Sequence, residues 1–127
     1  MNGVTFDEKV FARMMALAES VLEKAEPLPG TQAIVLETVA GNEFAAEIPD
    51  ALSESHVYEG ALLEQLELYR ELVVKNVLCV WADGGVDLPS MAFRKMLCEL
   101  SPENLNAAVF LRTKDGYTVK PLAATMK

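Results

Sequence analysis

Apolar residues along this chain change their period several times, and each change marks an expected element. Val10, Met14, Leu17, Ala18, Val21 and Ala25 recur three or four positions apart. Phe11, Met15 and Leu22 widen that stripe. The pattern is that of an amphipathic helix broad enough to lie on two neighbours. Thr5-Phe6-Asp7-Glu8 has the form of a capping box, with Thr5 as N-cap and Glu8 three residues later. The helix is therefore expected to start there and to reach Ala25.

Pro27-Leu28-Pro29-Gly30 breaks the helical pattern. Residues 31–38 (TQAIVLET) and 43–48 (EFAAEI) then read as two strands, joined at Ala40-Gly41-Asn42 into a β-hairpin. Pro49-Asp50 ends the second. Ser53 and Ser55 are candidate N-caps for a helix over about residues 57–72. Leu62, Leu63, Leu66, Tyr69 and Val73 form its apolar stripe, and Glu59, Glu64, Glu67 and Glu71 read as a solvated face.

The most informative stretch is 77–100, VLCVWADGGVDLPSMAFRKMLCEL. Residues 77–82 form a continuous apolar run, as in a strand covered on both faces. Asp83-Gly84-Gly85 supplies a sharp exit. Pro89 suits the start of a helix, where its missing N–H costs little. Phe93, Met96, Leu97 and Leu100 then recur at helical spacing, and Ser101-Pro102 ends the helix. Residues 107–113 read as a strand, Lys114-Asp115-Gly116 as a turn and 117–120 as a last short strand. Pro121 stops pairing, and the remaining tail is expected to be loosely held. The order is α-β-β-α-β-α-β-β. It predicts an α/β fold with a mixed five-stranded sheet between layers of helix, as one domain over residues 1–127.

The net charge of −8 argues against a nucleic-acid backbone or an anionic membrane surface as partner, since both select basic patches. No apolar run approaches the length of a membrane span. The opening MNGVTFDEK lacks the basic and apolar regions of a secretory signal, which points to the cytoplasm. Cys79 and Cys98, the two cysteines, read as small buried hydrophobes, not as a disulfide. There is no phosphate loop, dinucleotide-binding glycine pattern or nucleophile elbow.

Two features of this order carry a resemblance. Pro89-Ser90-Met91-Ala92-Phe93-Arg94 resembles the Pro-Cys-x-x-Cys-Arg that opens a helix in the cytidine deaminase family. Lys95-Met96-Leu97-Cys98-Glu99-Leu100 also looks like the continuation of that helix, and the order and spacing of elements agree over about residues 5–120. In that family a preceding helix opens with His/Cys-Ala-Glu; three protein ligands hold zinc, zinc activates water, and the glutamate shuttles protons. The resemblance implies a three-layer α-β-α fold and an oligomer built from helix faces.

It also implies that the usual chemistry is missing. Ser90 and Phe93 stand where the family has its two cysteine ligands. The register that keeps the apolar stripe of the second helix puts Glu59 at the proton shuttle and Val57 at the first ligand, with His56, the lone histidine, one residue away. Val57, Ser90 and Phe93 are thus degenerate zinc positions. No metal or cofactor is expected, because catalytic zinc needs three protein ligands. Ala46 and Ile48 stand where the family often has a ribose-binding Asn-x-Glu. Phe93, on the core-facing stripe, suggests a cavity filled with hydrocarbon. Three functions stay open. The first is a non-catalytic cytidine deaminase-like domain that binds a small ligand or a protein and forms a homo-oligomer. The second is a divergent nucleoside deaminase or hydrolase, with or without zinc, using Glu59 and His56. The third is an unrelated α/β assembly protein.

Overall fold

A computed structural model of the protein describes residues 4–25, 28–53 and 55–126. The elements are α1 (Glu8–Ala25), β1 (Gln32–Thr38), β2 (Glu43–Ile48), α2 (Val57–Leu68), β3 (Val74–Trp81), α3 (Met91–Leu100), β4 (Ala108–Thr113) and β5 (Gly116–Pro121). Two 3-10 turns, Pro102–Asn106 and Leu122–Thr125, follow α3 and β5. The strands form one mixed sheet in the order β2-β1-β3-β4-β5. β3 and β4 are parallel, with α3 in the crossover between them; the other neighbours are antiparallel.

The sheet is covered on both faces, so its central strands are apolar without alternation. β1 is buried throughout. Side chains of a strand point alternately to opposite faces. Ala33 and Val35 therefore join Leu78, Val80 and Phe110 under Met14, Ala18 and Leu22 of α1. Ile34 and Leu36 join Val77, Cys79 and Val109 under Leu62 and Leu66 of α2 and Phe93 and Leu97 of α3. The result is the expected three layers. Its consequence for function is that α2 and α3 lie side by side on one face, with their N-termini together.

Several local expectations are corrected. Thr5 does not cap α1: the Asp7 carboxylate accepts from the backbone N–H groups of Lys9 and Val10, at 3.0 and 3.2 Å. Asp7 is the residue directly before the helix, so its side chain reaches the orphan donors and that of Thr5 does not. The two serines do not cap α2; His56 holds that position, and the Ser53 hydroxyl accepts from the Ser55 N–H instead. The tail is not loose. Leu122 is buried in the α2/α3 core, and the Arg94 guanidinium donates to the carbonyls of Pro89 (3.0 Å) and Thr125 (2.5 Å). Burial lowers the Arg94 pKa, while the Asp87 carboxylate opposes that fall.

Helix α2 also ends at Leu68, four residues before its expected limit. The Arg70 N–H donates to the Glu67 carbonyl and the Glu71 N–H to the Leu66 carbonyl, which closes the helix in a Schellman motif. This turns Tyr69 out to solvent, and it places Glu71 where Thr38 and Asn42 donate to it, at 2.5 and 2.7 Å. Glu71 is therefore a tie between α2 and the β1–β2 hairpin, not part of a solvated face. Asn104, buried in the first 3-10 turn, accepts from Val74 N–H at 2.7 Å and donates to the carbonyls of Leu97 and Leu72.

The Schellman motif yields a test. Arg70 holds a positive φ of 59°, a conformation that crowds any side chain. Arg70→Gly is expected to raise stability by about 0.5–1 kcal/mol, the relief of left-handed strain less the extra chain entropy of glycine. Urea unfolding of the two proteins measures it; a loss of stability would contradict the assignment.

Candidate functional site

The N-termini of α2 and α3 converge on Glu59. It is the third residue of α2, and it is only 3% exposed. Its Oε1 lies 2.5 Å from His56 Nδ1, and the Ser90 hydroxyl donates to its Oε2 at 2.8 Å. The same hydroxyl oxygen accepts from the Phe93 N–H at 3.1 Å, which makes Ser90 the N-cap of α3. Local sequence explains the arrangement. Ser90 follows Pro89 and precedes the helix by one residue, the position where a hydroxyl best satisfies an unpaired helical N–H. Glu59 in the first turn of α2 is favoured by the positive end of that helix dipole.

The Phe93 side chain lies in the core next to this cluster's helices and has 0% exposure. It packs among the side chains that α2, α3 and the sheet bury together. Val57 does the reverse. Its side chain is 71% exposed, so it lines neither the cluster nor the core. Of the positions read from the sequence, Glu59, Ser90 and Phe93 are thus brought to one place and Val57 is not. Val57 lies two residues before the buried Glu59, which at about 3.6 residues per turn puts it on nearly the opposite side of α2, while His56 turns in to meet Glu59. Ile48 is buried, and Ala46 packs at the margin of the same core.

Neither cysteine is poised as an anion. Burial pushes the Cys79 thiol far above its ordinary range, and the carboxylates of Asp87 and Glu59 add to the effect. Cys98 is raised too, first by burial and then by Glu99. Among the described residues, no three His, Cys, Asp or Glu side chains come together in a way that could hold a metal ion.

Solved structures resemble this chain closely in shape. A cytidine deaminase from Mycobacterium leprae matches 91% of the chain and 96% of its own length, with a TM-score of 0.66 at 14% identity. One from Bacillus anthracis matches 91% and 86%, with a TM-score of 0.67 at 12% identity. One from Mycobacterium tuberculosis matches 91% and 92%, with a TM-score of 0.64 at 14% identity. This chain has the cytidine deaminase-like fold. No family model matches the sequence, and no curated protein matches it either.

The zinc that the family resemblance implies does not fit these residues. A tetrahedral catalytic site takes three nitrogen, sulfur or carboxylate ligands and leaves one position open. Here the Ser90 hydroxyl is committed twice, both oxygens of Glu59 are engaged, and a phenyl ring offers no donor. His56 is the single nitrogen ligand within reach of the cluster. The sequence located Glu59 and Ser90 but not the bond between them. The only signal for it was Ser90 itself, a hydroxyl at the N-cap position three residues before Phe93.

A double-mutant cycle tests that bond. Ser90→Ala is expected to cost about 2–4 kcal/mol, a lost N-cap plus a buried carboxyl oxygen without a partner. In a Glu59→Leu background the same change should cost only about 1 kcal/mol, the cap alone. Urea unfolding of the four proteins gives both numbers, and strict additivity would show that the bond contributes nothing.

Proposed function

We propose that this protein is a non-catalytic cytidine deaminase-like domain that works by binding a small ligand or a protein. The observation that carries the reading is the state of the α2/α3 junction. Its polar atoms hydrogen-bond one another, and Phe93 occupies the adjacent core. A substrate base would need open space beside Glu59 and a water activated there. Both oxygens of Glu59 are engaged, one by the start of its own helix and the other by the cap of α3. Val57, Ser90 and Phe93 are then degenerate zinc positions, and no cofactor is required. The competing reading, a divergent deaminase or hydrolase, draws on the contact between Glu59 and His56. It leaves unexplained how a carboxylate so buried would meet a substrate.

The homo-oligomer belongs to the same proposal. The outer side of α2 is mixed: Glu64, Gln65 and Glu67 are exposed there, with apolar residues among them. The inner side meets the sheet, but Val57, Tyr58, Leu68 and the following Tyr69 face solvent. A second copy of the chain is the partner we assign to that face. Among the described residues no helix is long and apolar enough to cross a membrane. With two free thiols in the chain, we infer a reducing, cytoplasmic setting.

Two measurements test the proposal. Elemental analysis of protein purified without a metal-affinity tag should find no stoichiometric zinc. The variant with Ser90→Cys and Phe93→Cys should still fail to deaminate cytidine, since the third ligand and the sugar contacts are missing. One zinc per wild-type chain, or cytidine turnover by it, would overturn the non-catalytic reading. Light scattering at micromolar concentration should give a multiple of the chain mass, and Leu68→Glu should lower it. A monomer mass for the wild type would remove the oligomer from the account.

A further inference from the structure

At the opposite end of β3 from Trp81 the sheet has a notch. Pairing of β3 with β4 begins only at Asn76 with Ala108, so Val74 and Lys75 extend past the start of β4. The 3-10 turn after α3 closes one side of the gap, and the segment before α1 closes another. A cleft of about 370 Å³ remains. It neighbours a second hollow of about 600 Å³ that shares Thr5, Lys75 and Asn76 with it. The first volume is at the small end of the range for ligand sites, suited to a metabolite.

The lining has a distinct chemistry. Val39 and Val73 offer an apolar wall, and Val74 and Ala108, which also line the cleft, are almost fully buried. Val39 is 64% exposed, so it stands at the rim of this wall. Lys75 and Glu103 bring one positive and one negative charge to the same cleft, and both are exposed. Among the described residues neither is engaged in an ion pair. The floor, by contrast, is fixed. Asn76 donates to Glu37 at 2.6 Å, and Glu37 in turn pairs with Arg13. The Val74 N–H is held by Asn104 at 2.7 Å. A rigid floor lets a ligand bind without the cost of ordering its site.

We propose that this cleft binds a free amino acid with a branched aliphatic side chain. Lys75 receives the carboxylate, Glu103 the ammonium group, and the valine wall the side chain. Two unpaired charges of opposite sign beside hydrocarbon match a zwitterion better than a simple acid, a simple amine or an uncharged molecule. The site is separate from the junction of α2 and α3, so it stands whether or not Glu59 is catalytic.

Titration of the isotope-labelled protein, followed by amide NMR shifts, tests this with three probes. L-leucine carries both charges, isocaproate lacks the ammonium, and isoamylamine lacks the carboxylate. L-leucine should give saturable shifts, at up to about 10 mM, centred on Thr5, Val39, residues 73–76 and Asn106. Isocaproate and isoamylamine should each bind more weakly. Lys75→Met and Glu103→Gln lie on the surface and should leave the spectrum folded, while each weakens L-leucine by about three- to fivefold, the worth of one exposed ion pair. Absence of saturable shifts with L-leucine, shifts centred elsewhere, equal binding of isocaproate, or unchanged affinity in both variants would each overturn the proposal. None of these results bears on zinc or deamination, so failure here leaves the reading of the α2/α3 junction in place.

Discussion

A carboxyl group stripped of water must find a hydrogen-bond partner for each oxygen, or its burial costs several kcal/mol. Glu59 is in that position, and the way it is satisfied sets the relation between α2 and α3. One oxygen meets the imidazole at the helix start and the other meets the hydroxyl that caps the next helix. Ser90 is tied at the same time to the Phe93 N–H, so the bond from Glu59 reaches the cap of α3 itself. The first turns of both helices are thereby fixed, and with them the direction in which Phe93 enters the core. In the family that this chain resembles, a metal joins the corresponding helix starts. Here the Glu59 carboxylate and the Ser90 hydroxyl meet across that junction.

The rest of the molecule supports this junction from below. The sheet offers Ile34, Leu36, Val77 and Cys79 as a flat apolar floor, and α2 and α3 lay Leu62, Leu66, Phe93 and Leu97 on it. Arg94 then reaches round to Thr125, so the last turn of the chain seals the edge of the same layer. On the other face α1 buries a second, smaller set of side chains, closed at its margin by the ring contacts of Phe6, Phe11, Phe110 and Tyr117. Polar pairs are kept to the ends of the sheet, where Arg13, Glu37 and Asn76 meet.

Layer order and strand positions were legible in the sequence because they follow from the period of apolar residues. β2 falls on its expected residues, and α1 ends where its stripe ends. What escaped was decided by single side chains. The cap of α1 depends on which of Thr5 and Asp7 lies next to the first helical residue, a shift of two positions in where the helix starts. The early end of α2 depends on Arg70 accepting a left-handed conformation that glycine usually takes. Asn104 and Arg94 tie segments far apart in the chain, and no local pattern announces such partners. At the candidate site, Ser90 meets Glu59 and Phe93 is buried while the Val57 side chain is exposed, since neighbouring positions at a helix start face different directions and the spacing of apolar residues does not fix which one turns inward.

The central claim is that hydrocarbon fills the space beside Glu59 where a deaminase-like site would open, and Phe93 is the residue that fills it. Equilibrium urea unfolding of Phe93→Ala against the wild type tests this most directly. A fully buried phenyl ring in a close-packed core predicts a loss of about 3–5 kcal/mol, with the urea dependence unchanged. A loss below about 1 kcal/mol, the size of an ordinary surface change, would contradict the account and mean that Phe93 borders an open pocket.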